Sequence, residues 1–175
     1  MSPRPTVFID RDGTLMEEVH YCSRPEDVKV FRGVSEALGR LKAAGFLTII
    51  VTNQSGIGRG VFSEADFHRV QEELLRQIGL GRIDATYFCP DHPDSATVRR
   101  KPGIGMIEEA CGAFPIDLAQ SWMIGDKAID VDCGKNAGLR TVLVATGYGK
   151  NEDCAPDYRA RDFVCAVEWL LGEEF

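Results

Sequence analysis

Short apolar runs alternate with amphipathic stretches along this chain, and the alternation predicts strands and helices in turn. Val7, Phe8 and Ile9 read as a buried strand that Gly13 stops, and Leu47-Thr-Ile-Ile-Val51 as a second. Between them a helix is expected over Val34–Ala44, ending at Gly45. Ser63 followed three residues later by Asp66 is the signature of a capped helix start, and that helix should run to about Gly79. Further strands are expected at Ala85–Cys89, Ser121–Ile124 and Thr141–Val144, with helices near Gly105–Phe114 and Ile129–Ala137. The tail Asp162–Leu171 reads as a short strand and a closing helix.

Strands alternating with helices imply right-handed βαβ units, hence an α/β fold: a three-layer, Rossmann-like, mostly parallel sheet with helices on both faces. Residues 1–175 read as one domain, without linker, repeat or low-complexity segment. The longest irregular stretches, Met16–Arg32 and Pro90–Gly103, are candidate binding loops, and neither is long enough to form a large cap domain.

Charge and cysteine content narrow the partners. The formal net charge is -7, so bulk electrostatics do not invite nucleic acid, and an anionic substrate would need a metal ion or a few placed Lys and Arg residues. Met-Ser-Pro-Arg-Pro lacks the apolar core of a signal peptide, and no apolar run approaches membrane-spanning length. A cytoplasmic protein without membrane or nucleic-acid partners is expected, and a monomer. The 6 cysteines lack CxxC pairing and are expected to be free thiols.

Four segments carry chemistry. Asp10 and Asp12 follow the first strand, where open α/β sheets bind ligands; one carboxylate can attack or hold a metal while the other manages protons. An acidic turn is the plain alternative. Thr52 takes the matching position on the second strand, where a hydroxyl and neighbouring N–H groups can hold a phosphate oxygen. The glycine-rich tail after it lacks dinucleotide-fingerprint spacing, and a flexible turn is equally compatible. Arg99-Arg-Lys-Pro102 sets three cations ahead of a predicted helix, with Lys101 a point charge and Arg100 able to grip a second anion through its planar fork. Asp126, just past the strand ending at Ile124 and facing Asp10 across the sheet, would complete an oxygen-ligand site of the kind Mg²⁺ prefers; a helix N-cap is the plain alternative.

Together these segments resemble the haloacid dehalogenase (HAD) superfamily: Asp10-x-Asp12-Gly-Thr its first motif, Thr52 its second, Lys101 its third, Gly125-Asp126 with Asp130 its fourth. Phe8-Ile-Asp-Arg-Asp-Gly-Thr-Leu15, Thr52-Asn-Gln-Ser-Gly-Ile-Gly-Arg-Gly60 and Arg100-Lys-Pro102 are similar to the histidinol-phosphate and heptose-bisphosphate phosphatase subfamily. The resemblance implies a HAD-like phosphatase without a large cap that acts on a phosphorylated sugar. Asp10 would be the nucleophile and Asp12 the acid/base. Mg²⁺ would be held by Asp10, Asp126 and the Asp12 backbone carbonyl. Thr52, Asn53 and Lys101 would bind the transferring phosphate, Arg100 a distal anion, and Asp130 would support the site.

The subfamily carries a structural zinc loop ahead of the Arg-Lys-Pro segment. Here Asp91 stands where the first histidine ligand would fall and no cysteine lies between Cys89 and Cys111, so structural zinc is not expected. His92 then reads as a surface or substrate-loop histidine. Three alternatives stay open: histidinol phosphate as substrate, a receiver-type module holding a phospho-aspartate, and a DNA-end 3′-phosphatase. The Arg99-Arg100 pair favours a sugar bisphosphate, receiver modules lack an acid/base two residues past the nucleophile, and the net charge argues against DNA.

Overall fold

A computed structural model describes residues 2–95 and 97–172, so position 96 of the second irregular stretch lies outside it. Six parallel strands form one sheet: β1 (Thr6–Ile9), β2 (Leu47–Asn53), β3 (Ala85–Cys89), β4 (Trp122–Gly125), β5 (Arg140–Val144) and β6 (Tyr158–Ala160), in the order β3-β2-β1-β4-β5-β6. The helices are α1 (Val34–Ala43), a single turn α2 (Ser55–Gly58), α3 (Glu64–Ile78), α4 (Gly105–Ala113), α5 (Ala128–Asn136) and α6 (Phe163–Leu170). None of them is long and apolar enough to cross a membrane.

The sheet is covered on both faces, which explains the unbroken apolar run of its central strand. Val7 and Ile9 point into a core built with Leu38 and Leu41 of α1, Val70 and Leu74 of α3, and Phe163 and Val167 of α6. Phe8, one residue out of phase, points into the opposite core with Met106 and Ile107 of α4 and Cys133 of α5. This is the expected three-layer α/β architecture.

The chain runs outward from β1 through β2 to β3, then returns to β4 beside β1 and runs outward the other way. The β1/β4 seam is therefore the switch point of the sheet, and Asp10 leaves β1 there, its N–H donating to the Ile124 carbonyl at 2.9 Å.

Three local expectations change. β2 runs two residues past Val51, because Thr52 and Asn53 still pair with Phe88 and Cys89 of β3; Thr52 thus sits inside the strand. The strand of the tail lies at Tyr158–Ala160, ahead of Asp162, whose carboxylate instead caps α6 by accepting the Cys165 N–H at 2.9 Å. Within the glycine-rich tail after Thr52, Ser55–Gly58 form the single turn α2, and Arg59 and Gly60 continue as a turn. Of the two irregular stretches, the first is pinned down: Leu15 and Met16 are fully buried, and Glu17 N–H to Lys29 O (2.9 Å) and Phe31 N–H to Leu15 O (3.1 Å) close it as a loop beside β1.

The start of α3 is the capping box expected from sequence: Ser63 Oγ accepts the Asp66 N–H at 3.1 Å and Asp66 Oδ2 accepts the Ser63 N–H at 2.8 Å. Ser63→Ala should therefore cost about 1 kcal/mol in urea unfolding while leaving steady-state kinetics unchanged. A loss in kcat would show that α3 is coupled to the site more tightly than its cap implies.

Candidate active site

Asp10 directly follows the central strand and is buried, and a buried carboxylate needs a partner. Lys101 provides it from the loop ahead of α4. Its ammonium, also buried, donates to Asp10 Oδ1 (2.7 Å), Asp130 Oδ1 (2.7 Å) and the Val51 carbonyl (2.8 Å). Burial alone would lower the lysine, but the two carboxylates outweigh it and hold the ammonium charged. Asn53 fixes the lysine backbone by a reciprocal pair: Lys101 N–H donates to Asn53 Oδ1 (3.0 Å) and Asn53 Nδ2 donates to Lys101 O (3.1 Å).

Asp126, two residues beyond Ile124, joins Asp10 and Asp130 in a cluster whose carboxylate oxygens lie within 4.8 Å of one another. Asp126 Oδ2 accepts the Tyr148 N–H at 2.9 Å, whereas Asp126 Oδ1 is buried without a partner. Two glycines make room for this carboxylate. A Cβ on Gly13 (φ 82°) would come within 2.4 Å of Asp126 Oδ2, and one on Gly147 (φ 58°) within 2.1 Å. Burial, then the charge of Asp10, pushes the Asp126 carboxyl from its ordinary 3.8 up to about 8. Asp10 is raised to about 6, chiefly by burial and against the pull of Lys101. An orphaned carboxylate oxygen inside a cluster of carboxylates too crowded to ionise freely suits a hard divalent cation. Asp130 lies within the cluster while also pairing with Lys101 and capping α5 through Lys127 N–H (3.1 Å).

Asp12 sits at a junction. A small pocket of about 30 Å³ is lined by Asp10, Asp12, Thr52, Asn53, Lys101 and Asp130. It adjoins a cleft of about 220 Å³ whose walls include Glu18, His20, Tyr21, Gln54 and Tyr148. Asp12, Asn53 and Lys127 line both. Lys127 reaches over the Tyr148 ring (4.7 Å) and stands 3.9 Å from Glu18; neighbouring carboxylates, Asp10 first, outweigh burial and keep it charged. The Glu18 carboxyl is raised by burial and then by Asp12.

Seven of the eight residues singled out from sequence thus converge here. Arg100 does not line either cavity: its Nη1 is buried without a partner, and the adjacent Arg99 turns away to pair with Glu109 at 2.6 Å. In the second loop, the Cys89 thiol lies 3.4 Å from Asp91 Oδ2, and His92 Nδ1 accepts the Asp94 N–H at 3.2 Å.

Residues 98–167 match the model of the HAD-hydrolase-like family. A relative from Thermosynechococcus vestitus, named D-glycero-D-manno-heptose-1,7-bisphosphate 7-phosphatase, is 41% identical over 189 aligned positions that cover 96% of this chain and 96% of its own. The chain belongs to the heptose-bisphosphate phosphatase family of HAD-like phosphatases. A second relative of the same name, from Chlorobaculum tepidum, is 35% identical to this chain across 99% of this chain and 98% of its own. The crystal structure of D,D-heptose 1,7-bisphosphate phosphatase from B. bronchiseptica, complexed with magnesium and phosphate, superposes with a TM-score of 0.89 at 28% identity, covering 97% of this chain and 99% of that one. Membership makes this heptose-bisphosphate phosphatase relative a phosphoric monoester hydrolase and sets aside the receiver-type alternative.

Sequence reasoning missed Gln54, Lys127, Glu18 and Tyr148. Glu18 lies in a stretch flagged as a binding loop, and Lys127 directly follows Asp126, so both carried a positional signal. Tyr148 carried none, because only the turn after β5 brings it to the β1/β4 seam.

The raised carboxyls have a consequence for the metal-free protein. Between the ordinary carboxylate value and about 8, the folded state retains a proton on Asp126 that the unfolded chain has lost, so stability must fall as pH rises through that interval. In chelator, urea unfolding should show lower stability at pH 8 than at pH 5.5, and Asp126→Asn should remove most of that slope. An unchanged slope in the variant would place the pH dependence elsewhere.

Proposed function

We propose that this protein hydrolyses D-glycero-D-manno-heptose 1,7-bisphosphate, removing the 7-phosphate with Mg²⁺ through an aspartyl-phosphate on Asp10. The observation that carries this reading is the junction at Asp12: a small polar pocket against Asp10 and Lys101 opens, past Asp12, into a larger cleft with its own cation, Lys127. The first offers polar and charged groups to one phosphate, and the second lies where the rest of a phosphorylated sugar would extend. The relatives' names support the same substrate.

In this reading the Asp10 carboxylate forms a bond to phosphorus as the bond to the sugar oxygen breaks, and Asp12 gives that oxygen its proton. Asp12, now a carboxylate, then takes a proton from the water that cleaves the acyl phosphate, which frees phosphate and restores the Asp10 carboxylate and the protonated Asp12. Thr52, Asn53 and Lys101 hold the non-bridging oxygens, where charge must be balanced during transfer. Asp10, Asp126 and the Asp12 backbone carbonyl would hold Mg²⁺, beside Asp130. When bound, Mg²⁺ screens the nucleophile from the anionic phosphate and satisfies the orphaned Asp126 Oδ1. Lys127, which lines the outer cleft, reads the distal anion; Arg100, given that role from sequence, lines neither cavity. Histidinol phosphate is a second reading because Glu18 offers its amine a carboxylate whose Oε2 is buried and accepts no hydrogen bond, with Lys127 3.9 Å away.

A phosphate-release panel with Mg²⁺ separates the two: both anomers of the heptose bisphosphate, fructose 1,6-bisphosphate and histidinol phosphate. At least one heptose anomer should exceed histidinol phosphate by about 10-fold or more in kcat/KM. The reverse order would transfer the assignment to the amine. Asp10→Asn should abolish turnover with an unchanged circular dichroism spectrum, and retained activity would remove Asp10 from the centre of the mechanism.

Zinc has no structural part in this reading. A zinc chelator used with saturating Mg²⁺ should leave Tm and activity unchanged; one zinc per chain, lost together with stability, would overturn that.

A further inference from the structure

Arg11 stands between the two carboxylates of the first motif and its side chain is fully buried, yet it lines neither cavity. The guanidinium grips Asp12 at two points, Nε to Oδ2 at 3.0 Å and Nη2 to Oδ1 at 3.1 Å. Nη2 also donates to Gln54 Oε1 at 3.3 Å, and the group lies over the Phe67 ring, 5.3 Å from its centre. The Gln54 amide then spends its two protons on Asp12 Oδ2 (2.9 Å) and on Thr52 Oγ1 (2.8 Å).

We propose that Arg11 is a positioning residue for the acid/base, fixing the Asp12 carboxylate in one orientation at the junction of the two cavities through a buried fork that Gln54 extends to Thr52. The inference rests on the role given to Asp12 above. A buried ion pair is a weak device for stability, since apolar residues of the same shape commonly replace one without loss. What the pair supplies is geometry. An aspartate side chain turns about two bonds, and Asp12 is only partly enclosed; a planar fork with two parallel donors stops that rotation where an ammonium could not. The contacts also distinguish the oxygens. Oδ2 accepts from both Arg11 and Gln54, whereas Oδ1 accepts from Arg11 alone and keeps capacity to exchange a proton with the leaving group or water. At the far end, Thr52 Oγ1 accepts from Gln54, so its own O–H is left to donate to a phosphate oxygen. One network therefore sets both the proton-transfer group and a phosphate donor.

The test is a double-mutant cycle. Arg11→Met, of similar length and uncharged, and Arg11→Lys are each made in the wild-type and Asp12→Asn backgrounds, with a sugar bisphosphate and an aryl phosphate as substrates in Mg²⁺. Arg11→Met should lower kcat by about 10- to 100-fold with KM nearly constant, because misplacing a reacting group costs rate and not binding. Arg11→Lys should fall between, and in the Asp12→Asn background neither change should have further effect. Equal losses in both backgrounds, or an unchanged kcat, would overturn the proposal. Should the Arg11 variants fail to fold, nitrogen-15 NMR reads the pair in the wild-type protein: the Arg11 Nε–H resonance should be slow to exchange and should shift on Asp12→Asn, and an unmoved resonance is equally fatal. Full activity of Asp12→Asn would instead overturn the acid/base assignment itself, whereas an impaired Asp12→Asn beside a fully active Arg11→Met would overturn only the positioning role.

Discussion

Everything at the β1/β4 seam depends on one buried ammonium. Lys101 touches Asp10, Asp130 and the Val51 carbonyl, and so binds β1, β2 and the start of α5 to the loop ahead of α4. Three buried carboxylates gathered within 4.8 Å would otherwise be self-repelling, and removing them from water costs several kcal/mol each. One lysine cannot offset three charges. The remainder shows as raised carboxyls on Asp10 and Asp126 and as an unpaired oxygen on Asp126, so the polypeptide folds around an incomplete charge balance that a cation and an anion together would complete.

The same seam gives two nearby acids different surroundings. Asp10 faces Lys101 and the carboxylate cluster; Asp12, one residue past a buried arginine, faces Gln54 and the outer cleft. Both acids lie just beyond β1, where the chain turns at Gly13, and both line one cavity. Arg11, between them, is directed instead into the layer of α3, against Phe67.

The turn after β5 completes the site from the far side of the sheet. Thr146 Oγ1 donates to the Gly13 carbonyl at 2.7 Å, Gly147 leaves space for the Asp126 carboxylate and Tyr148 N–H occupies one of its oxygens. Loops from β1, β4 and β5 thus meet on a single carboxylate.

The sequence by itself determined the layer order and most elements, because buried parallel strands leave unmistakable apolar runs and Ser63-x-x-Asp66 marks a helix start. It also brought out seven residues that the structure gathers at the switch point, since carboxylates and cations at the ends of predicted strands converge there in a parallel sheet. Only the tertiary structure decided which cations serve which anions. Arg99 and Arg100 looked alike in sequence, yet one turns to Glu109 and neither lines a cavity, while Lys127 does. The extension of β2 through Asn53, the partners of Arg11 and the approach of Gly147 to Asp126 likewise depend on contacts between segments far apart in the chain. Local periodicity carries no record of those distances, because it reports which face a residue occupies and not what stands opposite.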